Sequence, residues 1–142
     1  MLKKEVNYEF RSRLLEVHKK DIRDFSLVPG SDEFEIKDCM VISVPEKAEE
    51  VAVIAAQDFC DFLLTSMDVA ACVKKGGEGE IALFIAEDKG IDLGEYKGYR
   101  GYRIDTDDKG IKIYANDCRG MAQALYHLEF MMELRRAPFI KK

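Results

Sequence analysis

Nowhere in the 142 residues is there an uninterrupted apolar run near the roughly 20 residues that cross a bilayer. Charged residues make up 35% of the chain, so a membrane partner is excluded as an expectation. Concentrated positive charge is also missing. Residues 1–25 carry seven Lys/Arg against five Asp/Glu, and residues 26–142 carry fifteen against twenty-two. The one basic cluster, Lys19, Lys20 and Arg23, is interrupted by Asp21, which leaves nothing to displace counterions from a phosphate backbone. Nucleic acid is accordingly not an expected partner.

The four cysteines, Cys39, Cys60, Cys72 and Cys118, form no C-x-x-C pair and have no histidine at ligand spacing. No metal and no cofactor is expected. Cys39 and Cys60 fall in apolar patterns and read as small buried hydrophobes with free thiols. No apolar segment follows Met1–Glu5, so the sequence as it stands shows no signal peptide. A native start at Met1 implies a cytoplasmic protein, and a trimmed start a secreted or periplasmic one.

What is there suits one globular domain, with 47% hydrophobic content. Residues 1–30 read as an amphipathic helix and linker: Phe10, Leu14, Val17, Ile22 and Phe25 share one side of a wheel, before Pro29-Gly30-Ser31-Asp32 breaks the chain. Residues 31–142 form the domain proper. A strand is predicted over Glu35–Val44, ending at Pro45. A helix over 46–68 follows, with Val51, Ile54, Ala55, Phe59, Phe62 and Leu63 at helical spacing and Glu46, Glu49 and Glu50 opening it. Lys74-Lys75-Gly76-Gly77-Glu78-Gly79 reads as a loop, and Ile81–Ala86 as a buried strand.

Tyr102, Ile104 and Thr106, then Ile111, Ile113 and Ala115, alternate on either side of Asp107-Asp108-Lys109-Gly110, which predicts a β-hairpin. A last helix over 118–134 is capped by Asn116 or Asp117 and carries Met121, Ala124, Leu125, Leu128, Met131 and Met132 on an apolar face. The fold class is therefore α/β (α+β): a two-layer sandwich of about four mixed strands with two helices on one face, plus the N-terminal helix.

The runs Gly101-Tyr102-Arg103-Ile104 and Ile111-Lys112-Ile113-Tyr114-Ala115-Asn116-Asp117-Cys118-Arg119-Gly120, the helix containing Ala124-Leu125-Tyr126-His127-Leu128-Glu129, and Arg135-Arg136-Ala137-Pro138-Phe139 together resemble a known pattern. In order and spacing they are similar to the N-terminal non-catalytic domain of β-N-acetylhexosaminidases, α-glucuronidases and related glycoside hydrolases. The resemblance covers about 105 residues and leaves the N-terminal helix outside. It implies a non-catalytic accessory domain that supports a glycosidase catalytic barrel, with that barrel as the partner. An apolar patch is expected where the barrel would sit, and this patch could make the isolated domain a homodimer.

Glycoside hydrolysis needs two facing carboxyls. The nearest candidates, Asp105, Asp107 and Asp108, read as turn residues. No residue is assigned as catalytic. Four side chains remain as interface or ligand contacts. Tyr99 and Tyr114 are expected opposite the core-facing Tyr102 and could stack on carbohydrate. Arg119 opens the last helix beside Gly120, which permits close helix-to-strand packing. His127 is expected at a surface or interface. The rival reading is a free-standing glycan- or protein-binding module that uses these tyrosines.

Overall fold

A computed structural model describes residues 17–98 and 100–142, with only the backbone of Tyr96. Among these residues, seven strands and two long helices follow in the order β1 (Glu33–Glu35), β2 (Val41–Val44), α1 (Glu50–Met67), β3 (Cys72–Lys75), β4 (Ile81–Ile85), β5 (Tyr102–Thr106), β6 (Ile111–Ala115), α2 (Cys118–Arg135) and β7 (Phe139–Lys141). Single 3₁₀ turns at Glu87–Lys89 and Gly94–Tyr96 lie between β4 and β5.

The main sheet has the order β3-β2-β4-β6-β5, parallel except for β5, which runs antiparallel to β6. Its register aligns Ile42 with Ile81, Ile81 with Ile111, and Leu83 with Ile113. Period-two alternation then places these residues on one face, where α1 and α2 cover them in a single core with Phe59, Phe62, Leu63, Met121, Leu125 and Leu128. The mixed α+β sandwich expected from the sequence is thus present, with five strands in the main sheet rather than four.

Several boundaries differ from the sequence reading. The strand expected over Glu35–Val44 is split by a turn at Lys37–Met40, where Cys39 takes φ 68° and its amide donates to the Ala70 carbonyl at 2.8 Å. Asp38 accepts from the Ala70 amide at 2.8 Å, so both flanks hold the turn. Cys39 is therefore exposed, not buried; Cys60 is half-buried and Cys118 buried. Lys74 and Lys75 belong to edge strand β3, not to a loop. β1 pairs antiparallel with β7 in a separate ribbon.

The helix expected over 7–25 lies partly outside the described residues, and its described part, 17–25, is irregular chain. Its amides find partners elsewhere. Arg23 N donates to Ser66 O at 3.2 Å and Asp24 N to Arg136 O at 2.8 Å, while the Ser66 hydroxyl donates to Lys19 O at 2.6 Å. The segment is thereby stitched across the C-terminal ends of both helices.

The ribbon carries the best-placed ion pair. Arg135 donates through Nε and an Nη to the two Glu33 oxygens at 2.9 and 3.0 Å, and the Glu33 side chain is 8% exposed. These bonds, helped by the Gly30 amide and opposed by burial, pull the Glu33 carboxyl from its ordinary 4.5 to about 2. A lowered carboxyl stabilises the fold above its unfolded pKa and loses that effect as pH falls toward the folded one. Relative to Glu33→Gln, the native chain should gain about 1 kcal/mol at pH 7 after solvent screening, and this gain should vanish near pH 2. Paired thermal melts across that range check it.

Asp117 is the cap of α2. Its Oδ1 accepts from Gly120 N at 2.7 Å and its Oδ2 from Arg100 N at 3.3 Å. Asp117→Ala should cost about 1–2 kcal/mol, read as a lower urea midpoint, because it orphans an amide of the first turn and releases the chain before β5. Gly120 sits where that chain comes closest: a Cβ there would lie 2.6 Å from the Gly101 carbonyl and 3.2 Å from Ala115 Cβ.

Candidate functional site

Among the described residues, the sequence-derived candidates do not converge. Tyr114 lies on the sheet face away from the helices and stacks on Phe84, ring centroids 5.6 Å apart, with Lys89 Nζ 4.6 Å above the Phe84 ring. His127 lies across the sheet on α2, where its Nδ1 hydrogen-bonds the Tyr102 hydroxyl at 2.8 Å. Arg119 stands in the first turn of α2 and lines an open groove of about 430 Å³ with Arg100, Glu49, Val51, Gln123 and Tyr126. Tyr99 falls outside the described residues. The three hairpin carboxylates have local roles: Asp107 accepts from the Lys109 and Gly110 amides, Asp105 pairs with Arg103, and Asp108 pairs with Lys142.

Two features of the helical layer involve residues not expected at a site, although an apolar patch was expected somewhere on the domain. The first is surplus apolar surface. α1 has apolar residues at every position from Val51 to Ala56, and one helix cannot turn all of them inward. Ala52, Ala55 and Ala56 are buried, whereas Ile54 is 56% exposed. On α2, Tyr126, Phe130 and Leu134 recur every four residues as an outward ridge, with Phe130 60% and Leu134 70% exposed. Val51 and Tyr126 line the same groove, so each helix brings one of its exposed apolar residues to it.

The second feature is a polar cluster between the helices. His18 Nε2 lies 3.0 Å from Asp58 Oδ1, and ligand atoms of His18, Asp58 and Glu129 all lie within 4.8 Å of one another. The His18 ring packs edge-on against Phe62 at 5.5 Å between centroids. Glu129 Oε1 is cut off from solvent and has no hydrogen-bond partner. Burial, then the charges of Asp58 and Glu133, push the Glu129 carboxyl from 4.5 up to about 8. Its one sequence signal is a carboxylate four residues after Leu125 and next to Leu128, on the edge of the buried stripe of α2. Asp58 and Glu129 thus present carboxyl oxygens within 4.8 Å of each other and of a His18 ring nitrogen.

No family model matches this sequence, and no curated protein matches it.

Proposed function

We propose that this chain is a non-catalytic accessory domain of a carbohydrate-active enzyme, and that its helical layer packs against a glycosidase catalytic barrel. The observation that supports the reading is the apolar surface of Val51, Ile54, Tyr126, Phe130 and Leu134 on the outer side of α1 and α2. Several large apolar side chains left exposed on the helical layer of a well-packed domain suit a docking surface. A βα barrel is ringed by helices, so helix-on-helix packing of ridge into groove suits that partner. The sequence resemblance names the same partner.

The test begins with the native gene. Its reading frame should continue past Lys142 into a βα-repeating region, and in that longer polypeptide Tyr126 and Phe130 should be protected from hydroxyl-radical labelling relative to the isolated 142 residues. Ile54→Lys with Phe130→Lys should destabilise the longer protein while leaving the isolated domain within about 0.5 kcal/mol. A stop codon after Lys142, or equal labelling in both proteins, overturns the proposal, as does hydrolysis of aryl glycosides by the isolated chain. Dimerisation of the isolated chain that the two lysines abolish would support the patch as a docking surface.

One observation favours the rival, a free-standing binding module: the Phe84–Tyr114 stack on the sheet face away from the helices, where Tyr114 is part-exposed. Titration calorimetry with an oligosaccharide panel separates the two. Saturable heat lost in Tyr114→Ala promotes the binding module, and no heat removes it.

A further inference from the structure

His18, Asp58 and Glu129 are brought together by three segments that share no local sequence: the N-terminal segment, the middle of α1 and the middle of α2. The His18 side chain is 10% exposed and that of Asp58 29%, so the cluster is largely withdrawn from water. Its hydrogen bonding does not close. His18 Nε2 carries at most one proton, which the 3.0 Å contact directs to Asp58, and Glu129 Oε1 receives nothing. Ionised together, the two facing carboxyls would repel each other, so without a cation the pair has to keep a proton.

A divalent cation resolves both defects at once. With two ionised carboxylates and a neutral imidazole the donors carry a charge of −2. Donors bound at about 2.0–2.2 Å on a tetrahedron lie about 3.4 Å from each other, and these donors already lie within 4.8 Å. Modest side-chain rotations close the set. Mg²⁺ and Ca²⁺ call for six or more oxygen ligands, whereas one imidazole nitrogen with two carboxylates is a donor set for Zn²⁺ and its first-row neighbours. We propose that His18, Asp58 and Glu129 form a binding site for a divalent first-row transition cation, which fastens the N-terminal segment to both helices. The fourth position is left for water. Binding of Zn²⁺ would move the His18 proton to Nδ1 and release any proton held between the carboxylates to solvent.

The proposal does not depend on the glycosidase reading and is tested on the 142-residue chain stripped of metal. Titration with ZnCl₂ should show one equivalent bound, and Co²⁺ should give the visible bands of a nitrogen–oxygen site. His18→Ala and Glu129→Gln should each weaken Zn²⁺ binding about 100-fold; the glutamine keeps the glutamate's shape, so that variant folds. Zn²⁺ should also slow tryptic cleavage after Lys19 and Lys20 in the native chain but not in either variant. Four free cysteines offer a competing destination. Thiolate-to-cobalt charge-transfer bands, binding that both variants retain, equal affinity for Mg²⁺, or no binding would each overturn the site.

Discussion

Gly110→Ala is expected to cost about 3 kcal/mol or more, enough to leave much of the chain unfolded at 25 °C. A Cβ at this position would sit 2.0 Å from the Glu80 carbonyl oxygen and 2.9 Å from its carbon. Both are main-chain atoms, so no side chain can swing aside. That same oxygen accepts from Ile111 N at 2.8 Å, the bond that starts the β4–β6 ladder at the centre of the sheet. Relief of the clash therefore means parting two central strands. Gly110 also has φ 156°, which strains any L side chain. Urea denaturation reads the effect, and Lys109→Ala, one residue away and exposed, should move the midpoint by no more than about 0.5 kcal/mol. An unchanged midpoint in Gly110→Ala would show that the strands can separate there without penalty.

Glu129→Gln should stabilise the metal-free domain, and only above a definite pH. Unfolded, the carboxyl ionises near 4.5; folded, it holds its proton to about 8. Between these values the folded state keeps a proton that the unfolded chain has released, so native stability falls as pH rises through the window and levels off above it. The groups facing Glu129 are Asp58 from α1, His18 from the N-terminal segment and Glu133 from its own helix. Glutamine matches the protonated form and does not ionise. Its advantage should be absent near pH 4 and reach about 2 kcal/mol near pH 8.5, after allowance for solvent that partly screens the site. Melting curves in a chelator at both pH values decide it. An advantage of equal size at pH 4 would point to packing as its origin.

Local signals made much of the fold readable. The β5–β6 hairpin is coded within fifteen residues: alternation on both strands, and Asp107 supplying the carboxylate that ties Lys109 and Gly110 into the turn. The cap of α2 was likewise legible, because Asp117 and its partner amide are three residues apart. What escaped depends on distance in sequence or on neighbours. β1 and β7 are three residues each and become strands only because residues more than 100 positions apart are brought side by side. β3 is an edge strand with exposed lysines, a composition shared with loops. The apolar residues of 17–25 have the spacing of a helix, yet this segment bonds to helix ends instead; Ile22 reaches the core while Phe25 is 68% exposed.

The sites divide in the same way. Tyr114 could be placed on the outer sheet face from alternation with Ile113, but nothing local marks Phe84 as its stacking partner. Val51 and Ile54 have the spacing of core residues, and only the packed helix shows that the three alanines took the inward positions. His18 and Asp58 are 40 residues apart and Glu129 lies far beyond both, so no spacing rule could have joined them.

The order β3-β2-β4-β6-β5 leaves β3 and β5 as the outer strands of the main sheet. Both are guarded by charge: Lys74 and Lys75 on one, Arg103 and Asp105 on the other. A second sheet attempting to continue either edge would have to bury those charges against its own backbone, a recognised defence against fibril growth. The protein can thus carry large exposed apolar side chains on its helices while its sheet stays closed to endless stacking.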